Sequence, residues 1–324
     1  MSRRTRRTLL IVAAVLILLA VAVFLRSKAP PEAARLLPES DGIIYINLTP
    51  IRTLAHFRHF PPPHRVADYQ EFVDATGIDW ELDVDQAAIA LHRMPDPNGP
   101  NGPVAYSMVL VGKITGKKLN AWLDAHAASR ESYMGHTVYS IPSEGRTVRV
   151  AQIGYDMVAV SNTPTPEQMH SILDRHRTAA LPFSGSSLLS QHFHDVPLLS
   201  LAWGVGQIGL PFSESGAISV LGLQLPLAAD STIIASAAPS FPVPGSFESL
   251  HLRVEEIAPN ADTAAGQAAA LGTLVTVARA VSVPTHKSKA DDALAGLLKT
   301  AQVTQHGERV IVTATLPAKL LTGL

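Results

Sequence analysis

The sequence predicts an α+β protein: an N-terminal transmembrane helix followed by two similar halves, each an antiparallel sheet covered by helices. Three observations predict it. Residues 9–25 read LLIVAAVLILLAVAVFL, with no polar side chain. Downstream, short β-branched and aromatic runs are separated by turn-forming residues, the pattern of hairpins rather than of parallel crossovers. The succession of strand, helix, hairpin and helix then occurs a second time.

An apolar run of about 17–25 residues covers a ~30 Å hydrocarbon core as a helix that satisfies its own backbone hydrogen bonds. Arg3, Arg4, Arg6 and Arg7 precede the run and only Arg26 and Lys28 follow it. That asymmetry predicts a cytoplasmic N-terminus, an inner-membrane single pass and an exported remainder, periplasmic or extracellular. The competing reading is a cleaved signal peptide. Ala20-Val21-Ala22 has the small-x-small form but lies inside the apolar run, and a cut after Ala29 would meet Pro30. An uncleaved anchor is therefore expected, with residues 1–28 as tail and anchor and 29–35 as a proline-stiffened stalk.

Composition narrows the function classes. The 324 residues include no cysteine, which excludes disulfides, thiolate metal sites and cysteine nucleophiles. Removing the six basic residues of 1–28 takes the formal net charge from −1 to −7. A mildly acidic exported portion without a basic cluster is poorly suited to nucleic acid, so no nucleic-acid partner is expected.

In the first half, 36–180, a strand is expected at 43–48. Thr49-Pro50 then launches a helix to about residue 60, and Pro61-Pro62-Pro63 ends it. A second helix runs from about 66 to 76 and stops at Gly77. Strands at 87–91 and 106–111 pair across PDPNGPNGP, the most turn-dense stretch of the chain. An amphipathic helix follows at 115–128, with Leu119, Trp122 and Leu123 on one side. Strands at 137–141, 148–153 and 157–161 lead to a helix at 166–177 with Thr165 as its cap.

A linker at 181–186 leads to the second half, 187–324, which repeats the programme. Strands are expected at 197–203, 232–238 and 247–254, then an Ala-rich helix at 262–281 with Leu271, Leu274, Val275 and Ala278 as its apolar stripe. His306-Gly307-Glu308-Arg309-Val310-Ile311 echoes Met134-Gly135-His136-Thr137-Val138-Tyr139. Two copies of one module are expected, not a solenoid, which needs more and shorter repeats.

Several of these stretches carry a resemblance: Leu36-Leu37-Pro38 before a strand ending in Asn47, the Ala-rich helix, and VTQHGERVIV running into LPAKLL. The chain resembles bacterial membrane-anchored envelope proteins of unknown function with a duplicated α+β ectodomain. The resemblance implies the fold class over most of residues 33–324 and transfers no catalytic residue.

Candidate chemistry is sparse. Gly204-Val205-Gly206-Gln207-Ile208-Gly209 is a formal GxGxxG after a strand, but Pro211 interrupts the helix a dinucleotide site requires, so no cofactor is expected. His192 and His194, with Asp195, are the weak candidates for a metal, since His-x-His can present two imidazoles together. His56, His59 and His64 form a second group without HExxH spacing, and surface or capping roles are expected for both. Ser184-Gly185-Ser186-Ser187 lacks the nucleophile-elbow pattern and reads as linker. Asp79, Glu81, Asp83 and Asp85 alternate with apolar residues, as on one solvated face of an extended segment.

Two classes of function survive. The favoured one is a non-catalytic ectodomain that binds or scaffolds an envelope protein partner. The alternative is an exported hydrolase or metalloenzyme whose site assembles from dispersed His, Asp and Glu. From 181 to 247 only Asp195, Glu214 and Asp230 are charged. Within that stretch Phe212, Leu221, Leu223 and Leu225 are candidates for a partner contact, weighed against a role in the core of the second sheet.

Overall fold

Strand β1 (Gly42–Asn47) is the hinge of the architecture, because it pairs antiparallel with β2 (Val84–Arg93) on one side and β8 (Ala202–Gln207) on the other. The structure, a computed structural model, describes residues 12, 29–54, 67–114, 117–178, 185–207, 217–220, 223–228, 230–240, 248–281 and 289–318. The expected anchor at 9–25, Val12 apart, lies outside the described residues, as do His56, His59, His64, Phe212 and Leu221. Among the described residues no helix is long and apolar enough to cross a membrane.

One arm continues from β2 through β3 (Val104–Gly112), β7 (Met157–Ser161), β6 (Arg146–Gln152), β5 (His136–Ser143) and β4 (Ser129–Tyr133). The other runs from β8 through β11 (Thr232–Ser240), β12 (Ser249–Ile257), β14 (Arg309–Pro317) and β13 (Gln302–His306). Together they make one 12-stranded antiparallel sheet. The order β1-β2-β3-β7 is matched across the β1–β8 junction by β8-β11-β12-β14. A separate hairpin joins β9 (Ala217–Val220) to β10 (Leu223–Pro226), pairing Leu223 with Val220 and Leu225 with Ile218.

Period-2 alternation feeds both faces of the first arm. Val109, Ala151 and Ala159 point to one core and their neighbours Leu110, Val150 and Val158 to another. The first face carries α1 (Glu32–Arg35), α6 (Glu167–Arg177) and α7 (Ser187–His192). Ala88, Ala90, Ala151 and Ala159 are fully buried there, and their small side chains let Leu37, Ile172 and Leu189 approach the sheet. The opposite face is covered by α3 (Ala67–Thr76), α4 (Trp80–Asp83) and α5 (Lys117–His126), where Phe72 stacks on Trp80 and meets Trp122 edge-on. A short α2 (Leu48–Leu54) follows β1.

In the second arm, alternate residues of β14 serve two helices. Val310 and Val312 pack with Ala264 and Leu271 of α8 (Ala261–Val281), while Ala314 and Leu316 pack with Leu297 of α9 (Lys289–Thr300). The expected stripe on α8 holds at Leu271, which is buried, with Leu274, Val275 and Ala278 half-buried.

The structure departs from the sequence reading at several points. The strand expected at 197–203 begins only at Ala202, because 197–200 form a turn with Leu199 at φ +68°. Ser200 N–H and its hydroxyl both donate to the Pro197 carbonyl there. The acidic stretch is not extended throughout: the Asp83 carboxylate accepts from Asp79 N–H at 2.8 Å and closes the helical turn α4 before β2 begins. Thr165 does not cap α6, whose N-cap is Pro166. Strand β4 went unseen because SRESY is an edge strand with four of its five residues exposed, so it lacks alternating hydrophobicity.

Candidate functional site

The residues proposed for metal binding end α7 and its 3₁₀ continuation, Phe193–Asp195. Ser186 starts that helix as its N-cap, accepting from Leu189 N–H. Buried Leu188 and Leu189 seat the helix on the sheet, which swings Asp195 toward β12 and β14. There Arg309 Nη1 donates to Asp195 Oδ1 at 2.8 Å and to Glu255 Oε1 at 2.5 Å. Arg253 Nη2 donates to the other Glu255 oxygen at 2.5 Å. Two arginines and two carboxylates thus form a charge-balanced network. Glu255 is only 1% exposed and could not be tolerated there unpaired. The bonds to Glu255, then those to Asp195, hold the Arg309 guanidinium above its usual value.

His192 Nδ1 lies 3.8 Å from Asp195 Oδ2, and His194 Nε2 lies 3.5 Å from Oδ1. Burial holds His192 below the ordinary imidazole range, against the pull of Asp195. The three residues therefore do come together, but the cation on Asp195 Oδ1 is a guanidinium. Among the described residues no group of three or more His, Asp or Glu is arranged to hold a metal ion. Gly204 and Gly206, from the formal nucleotide motif, lie inside β8 and pair with β1 and β11.

A pair that sequence reading missed is His92 and Ser107, diagonal neighbours on one face of β2 and β3. His92 Nε2 lies 3.0 Å from Ser107 Oγ, Ser107 Oγ 3.1 Å from Ser161 Oγ, and Ser161 Oγ 2.9 Å from Thr163 Oγ1. Thr163 passes the chain to the Thr165 carbonyl. A serine beside an imidazole is the geometry of an activated nucleophile. Here both Ser107 and Ser161 are fully buried and His92 is 6% exposed, so nothing can reach the hydroxyl. Burial holds His92 low, against the pull of Asp41 and a bond with the Glu39 backbone. The relay braces three strands. Its only sequence signal is polar residues on the inward phase of otherwise apolar strands.

What the surface does offer is a groove of about 710 Å³ between α6 and the β4–β5 turn. Its floor is Tyr133, stacked on His170 with ring centres 3.8 Å apart and planes 5° from parallel. Tyr133 donates to Asp174 Oδ2 at 3.0 Å, and that bond is the first cause of its raised phenol pKa. His170 Nε2 sits 3.0 Å from Glu131 Oε1, while Arg175 and Arg177 complete a wall of mixed charge. The arrangement suits a polar partner held by stacking and hydrogen bonds, and contains no serine–base pair.

Leu223 and Leu225, the described members of the expected partner contact, lie in β10. The hairpin connects to the sheet through Gln207 and Thr232, which are themselves paired at the end where β1 begins.

No family model matches the sequence, and no curated protein matches it. Among solved structures, crystal form III of TP0453, a Treponema protein, is similar with a TM-score of 0.50 at 13% identity, covering 90% of this chain and 97% of that one. Crystal form I of the same protein gives a TM-score of 0.48 at 12% identity, covering 91% and 96%. The likeness is one of fold alone: this chain shares with TP0453 a mixed α+β architecture.

Proposed function

We propose that this chain is a non-catalytic binding or scaffolding protein of the bacterial envelope. In this reading residues 9–25 hold it in the inner membrane, with the N-terminus in the cytoplasm and the folded portion outside. The arginine asymmetry about the apolar run supports the anchor and its direction. The observation that carries the non-catalytic half is the fate of the reactive side chains. Ser107 and His92 are sealed inside the sheet, and Asp195 is spent on Arg309. These groups hold the fold together and leave binding as the work of the surface.

The mirrored strand order about the β1–β8 junction supports two copies of one module, 36–180 and 187–324, joined by 181–186. We assign the partner contact to the stretch containing Phe212, Leu221, Leu223 and Leu225.

Three measurements test the reading. Alkaline carbonate washing should leave the full chain in the membrane pellet, and an alkaline phosphatase fused after Leu324 should be active. Release by the wash removes the anchor, and a reporter active only in cytoplasmic form reverses the direction. A fluorophosphonate probe should leave the purified protein unlabelled; stoichiometric labelling of Ser107 would install the hydrolase reading instead.

A further inference from the structure

The two ends of the sheet differ in chemistry. At the end where β1 begins, three connections are polar, namely the turn-rich 94–103, the turn at Glu144-Gly145 and the turn at Gly307-Glu308, while the β8–β11 connection at 208–231 is apolar in sequence. At the other end, where β1 finishes at Asn47, the connections carry exposed apolar side chains. Val12 apart, the large apolar side chains at least half exposed among the described residues are Leu82, Met134, Tyr155, Leu198, Leu199 and Val277.

Hydrogen bonding, backbone or side-chain, puts each at that second end. Leu201 carbonyl accepts from Asn47 N–H, which places Leu198 and Leu199 beside the finish of β1. Lys113 N–H donates to Asp83 O, next to Leu82, and Gly112 N–H donates to Asp156 O, next to Tyr155. His136 bonds the Gln152 carbonyl through Nδ1, so the Met134 turn adjoins the same row. Arg279 reaches Leu298 O and Ala301 O just before β13 starts, which brings Val277 to this level. Tyr155 is 91% exposed and Leu199 81%, values that burial of apolar surface opposes in a free domain.

The chain enters at this end too. The carboxylates of Glu32, at the start of α1, and of Asp156 both act on His176, itself in edge contact with His136. From there α1 and Leu36–Asp41 climb the sheet to reach Gly42 at the polar end. Residues 26–31 separate the apolar run from α1. Six residues span at most about 20 Å even fully extended. The polar end lies further off, beyond α1 and the six residues Leu36–Asp41, up to about 26 Å of chain.

Resting on the anchor proposed above, we infer that the sheet end carrying Leu82, Met134, Tyr155, Leu198 and Leu199 lies against the bilayer surface. The occupant is the headgroup and upper acyl region of the membrane that holds residues 9–25. Tyr155 is the residue type that sits at such an interface with ring buried and hydroxyl wet. The polar end, with the β9–β10 hairpin, then points away from the membrane.

Because the chain has no cysteine, single cysteines report position directly. The full chain in phosphatidylcholine–phosphatidylglycerol vesicles would carry an environment-sensitive fluorophore at Tyr155→Cys, Leu198→Cys, Asn98→Cys on the polar end, or Leu16→Cys within the apolar run. Leu82→Cys replaces either rim variant should it fail to fold. Nitroxide on the lipid headgroup should quench the rim labels severalfold more than Asn98→Cys, while a deep acyl nitroxide quenches Leu16→Cys. A quenched Leu16 label with rim labels no different from Asn98 overturns the membrane-facing rim and leaves the anchor standing. An unquenched Leu16 label overturns the anchor itself, and the rim with it.

Discussion

The carboxylate of Glu39 accepts from both the backbone N–H and the hydroxyl of Ser187, 148 residues further along the chain, at 2.9 and 2.6 Å on one oxygen. Arg175 Nη2 donates to the other oxygen at 2.9 Å. The entry to β1 is thereby tied to the first residue of α7, so the chain's two parts are joined by charge as well as by the β1–β8 pairing. Burial opposes the charged form of Glu39, yet the Ser187 and Arg175 bonds prevail and hold its pKa below 4.5.

Glu39→Ala should lower stability by about 1 kcal/mol. The figure sits at the level of an exposed ion pair, below that of a buried charged hydrogen bond, because the side chain is 60% exposed. Urea midpoints at pH 7 and pH 3 would show it. A depressed carboxylate stabilises above its unfolded pKa, so the difference between Glu39→Ala and the parent should be present at pH 7 and shrink below about 4.5. An equal difference at both values would deny the bond its charge.

Arg309→Met should be far more costly, about 3–5 kcal/mol, since it strips one partner from the buried Glu255 and the cation from Asp195. Coupling gives the check. Arg309→Met combined with Glu255→Leu should cost less than the sum of the two single losses, and additive losses would mean that the two side chains act independently.

Acid should weaken the fold through its histidines before it reaches the carboxylates. His92, His176 and His192 are each held below 6.5, chiefly by burial. The unfolded chain binds their protons more readily, so stability should be flat above about pH 7 and fall as pH drops through 6.5. Thermal melting from pH 8 to 5 would trace this, and His92→Gln should flatten part of the slope. A melting temperature unchanged down to pH 5 would contradict the lowered pKa of these rings.

Ser107→Ala should cost about 1–3 kcal/mol, because it leaves His92 Nε2 and Ser161 Oγ short of a partner where no water reaches. Differential scanning calorimetry would register it. A neutral substitution would mean that the relay contributes nothing to the bracing of β2, β3 and β7.

Leu223→Asp and Leu225→Asp test the assigned partner contact. Variants that melt like the parent but no longer crosslink to an envelope protein would support it. Unfolding of either would place these side chains in the core, where losing a leucine costs about 2–5 kcal/mol.

Much of the fold was legible locally. Strand β7 begins and ends where its alternating pattern says, and Gly77 stops α3 at φ +73°, the left-handed conformation a side chain resists. The pairing of β2 with β3 followed from the turn-rich segment between them. Edge strand β4 was not legible, since exposure on both faces removes the alternation that marks a strand. Nor was the turn before β8, where Pro197-Leu198-Leu199 reads as an apolar strand.

By itself the sequence determined the elements whose signals are local: apolar periodicity, and prolines and glycines at boundaries. Only tertiary structure decided that both arms share one sheet, because β1 and β8 are 155 residues apart at their closest and nothing local records a pairing over that distance. The same holds for Asp195, Glu255 and Arg309, and for His92 with Ser107 and Ser161. Each alone is an ordinary polar residue; the register of the strands makes each set a buried network. Strand pairing likewise gathers the exposed leucines and Tyr155 at one end, since the chain spreads them over separate turns and only the sheet lines those turns up.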